Sequence, residues 1–165
     1  MIERVPAGVE IGHVHLKVAE LDRAIDFYHG VLGFDIVQRM GDSAAFLSAG
    51  GYHHHIGLNT WESRDGAPPP RRATGLYHFA IRYPDRGALA QALRRLTEAG
   101  VPLEGASDHG VSEALYLRDP DDNGLELYWD RPREQWPRTE DGGLTMYTAP
   151  LDLNDLFSAS RPGGG

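Results

Sequence analysis

Apolar and polar positions follow one another in the same order twice along this chain. The stretch at about 10–18 alternates, with Val14, Leu16 and Val18 on one face and His13, His15 and Lys17 on the other. A helical period follows at about 21–32, where Ala24, Ile25, Tyr28, Val31 and Leu32 fall on one side and Gly33 supplies a stop. Three short apolar runs near 34–39, 44–48 and 52–59 are punctuated by Asp42 and by Gly50-Gly51, which predicts strands joined by tight turns. The order then repeats: a strand at about 76–83, a helix at about 85–99 closed by Gly100, and strands near 102–106, 112–118 and 124–129. Between the last two strands, Asp119-Pro120-Asp121-Asp122-Asn123-Gly124 is a dense turn signal. The expectation is an α+β fold of two βαβββ modules, one at about 10–60 and one at about 75–130.

The stretch from 61 to 74 contains three consecutive prolines and reads as a linker. A module of about 60 residues has a marginal core alone, so the two are expected to pair within one domain, residues 1–130. Residues 131–165 read as a tail. In it Leu151, Leu153, Leu156 and Phe157 can form one amphipathic turn that docks on the domain or on a second subunit. The final Arg161-Pro162-Gly163-Gly164-Gly165 is expected to be disordered.

Composition narrows the chemistry. The chain has 165 residues, 41% of them hydrophobic, and no cysteine. Disulfides, thiolate ligands and a cysteine nucleophile are therefore excluded, and any metal must be held by nitrogen and oxygen. The net charge of −8 leaves no basic footprint for nucleic acid. No stretch reaches the roughly 18 apolar residues of a membrane span, and the N-terminus shows no signal pattern. A cytoplasmic protein is expected.

Facing then singles out a set of residues. His13 and His78 open matching strands of the two halves, and Glu126 lies on the last strand, each opposite the apolar face. Tyr116 lies on the polar face of the seventh strand, opposite Leu115 and Leu117. If every apolar face packs under a helix, the opposite faces line a cup into which all four point. Two imidazoles and one carboxylate can form a facial triad for a divalent metal with coordination positions left open. A closed structural zinc site would normally use four protein ligands. Taken singly, a His or Glu on a polar strand face is a solvated side chain, and it is the matched placement that gives these residues weight.

Two motifs carry a resemblance. Asp26-Phe27-Tyr28-His29-Gly30-Val31-Leu32-Gly33-Phe34 is similar to the first-helix motif of the vicinal oxygen chelate superfamily, which includes glyoxalase I, bleomycin- and fosfomycin-resistance proteins and type I extradiol dioxygenases. Asp119-Pro120-Asp121-Asp122-Asn123-Gly124-Leu125-Glu126-Leu127 is similar to its closing motif. The resemblance covers roughly residues 10–130 and implies paired βαβββ modules that curl a mixed sheet into a metal-holding cup.

A narrower resemblance, to catechol 2,3-dioxygenase-like proteins, is carried by four runs: 50–59, 75–81, 108–112 and 128–132. It extends through the tail to about Phe157. It implies His13, His78 and Glu126 as ligands of Fe(II), with Mn(II) or another divalent metal as the alternative. It also implies His54, His109 and Tyr116 as catalytic groups acting on a small aromatic diol and O2. The neighbours His53 and His55 leave His55 as the alternative to His54. Asp122 stands where the family's turn usually has glycine, a cost if the backbone there needs positive φ. The well-studied extradiol enzymes often carry four modules, whereas this chain has two.

Other activities of the fold stay open at this point. A glyoxalase-type isomerase would want a fourth, acidic ligand, and residues 52–59 contain no Asp or Glu. A fosfomycin-type thiol transferase shares the two-His, one-Glu set. A drug-sequestering protein of the same fold often lacks the ligands altogether. A homodimer is expected, since two-module cups with apolar tails often dimerise.

Overall fold

The computed structural model describes residues 2–70 and 72–160; the glycine-rich end, Arg161 to Gly165, lies outside the described residues. The chain divides into two compact units, Met1–Ala67 and Pro68–Gly165. The division falls inside the stretch expected to be a linker. No helix among the described residues is long and apolar enough to cross a membrane.

The first unit runs β1 (Val14–Lys17), α1 (Leu21–Ile25), a π-helical segment (Asp26–Val31), β2 (Asp35–Met40), β3 (Ala44–Ser48) and β4 (Ile56–Asn59). Its sheet has the order β1-β4-β3-β2, with β1 parallel to β4 and the other pairs antiparallel. Leu16 and Val18 of the first alternating stretch are buried with Leu47, Ile56 and Leu58. The predicted helix continues past Ile25 as wider turns, with Leu32 N–H donating to Phe27 and Phe34 N–H to Tyr28. The extra residue per turn rotates the buried face, so that Phe27 joins Tyr28 in the core, ring edge to ring face at 5.0 Å. Gly33 ends the helix at φ +86°.

Two expectations shift here. The strand predicted from 52 starts only at Ile56, so the Tyr52–His55 run is a loop. The predicted linker is structured at its start. Ser63 Oγ donates to the Val18 carbonyl and Asp65 N–H to the Ala19 carbonyl, both at 2.9 Å, which folds the turn back onto the end of β1.

The second unit repeats the plan with β5 (Phe79–Arg82), α2 (Arg86–Glu98), β6 (Leu103–Asp108), β7 (Ser112–Arg118) and β8 (Gly124–Asp130). With β9 (Ala149–Pro150) from the tail, its sheet has the order β5-β8-β7-β6-β9, with β5 parallel to β8. Asp85 caps α2 by accepting the Ala88 N–H, and Leu89, Leu93 and Leu96 bury its inner face. The inner residues of β7 and β8 pair as Leu115 with Leu127 and Leu117 with Leu125. Both units carry a register shift in the same strand pair, between Ile36 and Gln38 and between Leu103 and Gly105. Tyr77, inside the strand expected at about 76–83, is 81% exposed, because the strand begins only at Phe79.

The tail breaks the symmetry. After β8 a 3-10 turn (Arg133–Gln135) leads to β9 (Ala149–Pro150), which pairs with β6, and to α3 (Leu153–Ser158). The amphipathic turn expected at the end therefore docks on its own unit. Leu156 is fully buried, Arg94 of α2 stacks on the Phe157 ring at 4.2 Å, and its guanidinium donates to Ser160 Oγ. Leu156→Ala should cost about 2–5 kcal/mol in urea unfolding. A variant with unchanged stability would mean that the tail adds nothing to the core of the second unit.

Candidate functional site

The pairing of β8 decides what surrounds Glu126. Its register places Tyr116 of β7 directly opposite on one side and Ala80 of β5 on the other. Leu125 and Leu127 point into the core, so Glu126 points away from it, its side chain 16% exposed. A carboxylate so far withdrawn from water needs partners. It has two: His78 Nε2 lies 3.0 Å from Oε2, and the Tyr116 hydroxyl donates to Oε1 at 3.2 Å. His109 Nε2 in turn lies 2.7 Å from the Tyr116 oxygen. His78, Glu126, Tyr116 and His109 thus form one continuous run.

Gly124 explains how His78 gets close. A Cβ at that position would sit 2.2 Å from the Tyr77 carbonyl oxygen and 3.1 Å from His78 Cβ. Only glycine lets the backbone entering β5 pass that near to the start of β8. Asp122, two residues earlier, has φ +65°, so the turn does demand the left-handed conformation there. Its carbonyl accepts from Arg118.

Tyr116 has a single hydroxyl proton and two neighbours that can accept it. Burial, then the charge of Glu126 and the hydrogen bond to it, push its pKa to about 12. The phenol therefore stays protonated at neutral pH. His109 Nδ1 faces the Tyr147 carbonyl at 3.0 Å, and a carbonyl can only accept, so Nδ1 carries a proton. With His109 neutral, Nε2 is a lone pair that competes with Glu126 for the Tyr116 proton. With His109 cationic, Nε2–H donates to the phenol oxygen and frees the phenol proton for Glu126. The pair can deliver or accept a proton at the Tyr116 oxygen without moving heavy atoms.

The first unit carries its own imidazole group. His13 precedes β1 and His54 lies in the loop before β4, with ring centroids 4.5 Å apart. His53 and His54 meet Nδ1 to Nδ1 at 2.8 Å, so one of them donates. His55 turns elsewhere: its Nδ1 lies 3.1 Å from Ser48 Oγ and accepts the Ala49 N–H. Of the two candidates, then, His54 is the one beside His13. Desolvation first, then repulsion from His13, His53, His15 and His55, hold the His54 imidazole below its ordinary pKa. His15 lies against Gly57, where a Cβ would sit 2.9 Å from its ring, and its pKa is lowered by burial and by His13. His29 is structural, with Nδ1 2.6 Å from the Phe34 carbonyl at the helix end.

The donor set suits a divalent metal. With bonds of about 2.1 Å, two neighbouring ligands at a right angle stand about 3 Å apart, and His78 Nε2 and Glu126 Oε2 are 3.0 Å apart. Among the described residues no group of three or more His, Asp or Glu side chains is gathered in metal-holding geometry. Two of the three expected ligands stand together in the second unit, and the third, His13, belongs to the first.

Sequence and fold together place the chain. Residues 10–127 match the profile of the glyoxalase/bleomycin resistance protein/dioxygenase superfamily. The chain belongs to that superfamily. It is 45% identical over 149 residues to a catechol-2,3-dioxygenase of Bacillus subtilis, covering 89% of this chain and 50% of that protein. It thus spans about half the length of that relative. A biphenyl-2,3-diol 1,2-dioxygenase of Rhodococcus globerulus is 32% identical, with 92% of this chain and 84% of that protein covered. A glutathione transferase FosA of Serratia marcescens is 31% identical, with 72% and 79% covered.

Sequence reasoning missed the groups that hold His109. They are the Tyr147 carbonyl, the Thr148 hydroxyl 3.3 Å from Nδ1, and Arg131, which donates twice to Asp108 next door. A backbone carbonyl leaves no signal in a sequence. Arg131 lies in the run 128–132 that carries part of the resemblance, but nothing in the sequence tied it to His109. Gly124→Ala should lower stability by about 1–3 kcal/mol, the range of an overpacked site, and should separate His78 from Glu126. Urea unfolding and a crystal structure check both. Unchanged stability with the 3.0 Å contact intact would show that Gly124 does not set the position of His78.

Proposed function

We propose that this protein is a metal-dependent extradiol dioxygenase that opens the ring of a catechol-type diol with dioxygen. What supports the reading best is the run His78–Glu126–Tyr116–His109, an imidazole-carboxylate pair backed by a phenol and a second imidazole. It occurs on a chain similar over most of its length to two diol dioxygenases. The proposed ligands are His13, His78 and Glu126, and the proposed metal is Fe(II), with Mn(II) as the alternative. When bound, such a metal supplies Lewis-acid activation of a vicinal diol and a redox partner for dioxygen.

The remaining work falls to the chain's own groups. His54, held neutral by burial and by its imidazole neighbours, accepts a proton from the diol. Tyr116, a phenol that stays protonated, donates a hydrogen bond to a substrate oxygen. His109 Nε2 lies behind that phenol and replaces or takes up its proton as charge moves during ring opening. A base and a donor of such different pKa can both act at neutral pH. The similarity to FosA favours a second reading, thiol transfer to a small electrophile.

Anaerobic reconstitution with Fe(II), then air and a panel of catechols, tests the first reading. A yellow ring-opened product is expected, and His13→Ala should abolish it together with metal binding. His54→Ala should keep the metal and lose about 10²–10⁴ in rate; unchanged turnover would remove His54 from the mechanism. Colourless mixtures from a metal-loaded protein that instead conjugates glutathione would move the assignment to thiol transfer.

The pH dependence follows from the same residue. A lowered pKa keeps His54 unprotonated further into acid, so the acidic limb of kcat/KM should fall below the ordinary histidine value of 6.5. A limb above 6.5 that shifts in His54→Ala would contradict the assigned environment.

A further inference from the structure

The turn that carries His109 is held from two sides by residues that the βαβββ plan does not contain. On one side, Arg131 donates to both oxygens of Asp108, at 2.6 and 2.9 Å, and to Glu113 at 2.9 Å. Its own N–H donates to the Val111 carbonyl at 2.8 Å, and its carbonyl accepts the Trp136 indole N–H at 2.7 Å. Arg131 therefore bridges the two residues that flank the loop His109-Gly110-Val111-Ser112. Glu113 is nearly buried, and it also accepts from Arg86 and from the Trp129 indole. Arg131's bonds, opposed by burial and reinforced by the Gly110 N–H, hold the Asp108 carboxyl below the usual carboxylate range. The clamp stays ionised throughout neutral pH.

On the other side, the tail lays one peptide across His109. Tyr147 N–H donates to the His109 carbonyl, and the Tyr147 carbonyl receives Nδ1–H. The fit leaves no slack. Gly110 has φ +76°, and a Cβ there would lie 2.6 Å from the Tyr147 ring and 2.7 Å from Pro137. The β6–β9 pairing, Ser107 with Pro150 and Asp108 with Ala149, fixes the register that brings Tyr147 to this spot.

We propose that Arg131 and the Tyr147 peptide are positioning groups for His109, which fix its proton on Nδ1 and turn Nε2 to the Tyr116 hydroxyl. In this view the tail is an added part of the catalytic apparatus. An imidazole free to rotate or change tautomer would also present Nε2–H, a donor, to the Tyr116 oxygen, and the acceptor lone pair held there would be lost. Arg131 suits the task because its planar fork holds Asp108 by two parallel bonds while still reaching Glu113, a geometry that an ammonium does not reproduce. The catalytic consequence rests on the role given to His109 above; the tautomer does not.

The test uses full-length protein labelled with 15N-histidine. Long-range 1H–15N spectra are recorded at about pH 8.5, above the ordinary histidine range, with His109 assigned through His109→Gln. The wild type should show His109 with its proton on Nδ1 alone. Arg131→Ala should show mixed tautomers and, in catechol turnover, a kcat about 10- to 100-fold lower with KM nearly unchanged. Arg131→Lys should fall between the two.

A proton on Nε2 in the wild type overturns the proposal outright. So does a folded Arg131→Ala protein whose His109 signals match the wild type. If Arg131→Ala does not fold, the wild-type tautomer and Arg131→Lys decide. Because the spectra need no turnover, an inactive wild type with the expected tautomer would count against the dioxygenase reading and leave the positioning intact.

Discussion

The carboxylate of Glu126 is the point on which the second unit's site depends. It projects from β8, an inner strand of a five-stranded sheet, on the face opposite Leu125 and Leu127, with little access to water. Leaving it without partners would cost several kcal/mol. The strands on either side answer that demand, β5 through His78 just before its first residue and β7 through Tyr116 at the paired position. Sheet register therefore selects the phenol that meets the acid, and register together with the close approach at Gly124 selects the imidazole. The bond from Tyr116 to His109 then carries the same constraint into the next loop.

A second buried acid, Glu113, does the corresponding work for the tail. Three donors converge on it, from Arg86 of α2, Trp129 of β8 and Arg131 beyond β8. Arg86 reaches on to Asp155 of α3 at 2.7 Å. The helix, the sheet and the C-terminal segment are thus joined through one carboxylate. Removing any of its cations would leave charge buried and partly unpaired, which ties a segment outside the repeated modules to the second unit.

Much of this was legible in the sequence because sheets and helices write their faces as periods. The order of elements, the buried leucines of β7 and β8 and the facing of Glu126 and Tyr116 all follow from alternation. The caps at Gly33 and Gly100 follow from helix stop chemistry, and both have positive φ. What alternation could not give was where pairing starts. Tyr52–His55 and Tyr77 continue an apolar or aromatic pattern, yet they precede the strands, because pairing begins only where β1 meets β4 and β5 meets β8. The π-helical turns were hidden too, since a shift of one residue in phase still reads as helical. Backbone acceptors such as the Tyr147 carbonyl have no residue type to read.

The repeated plan has produced two units with opposite proton chemistry. In the first, five histidines, His13, His15, His53, His54 and His55, lie in or beside one loop and the strand edge next to it. Desolvation first, and then repulsion from neighbouring imidazoles, drives His54 and His15 toward the neutral, accepting form. In the second, burial first, and then the charge of Glu126 and the hydrogen bond to it, keep the Tyr116 proton in place. Burial favours the uncharged form in both halves, which means a proton lost from an imidazole and a proton kept on a phenol, and the neighbouring charges, imidazoles in one half and a carboxylate in the other, push each group further the same way.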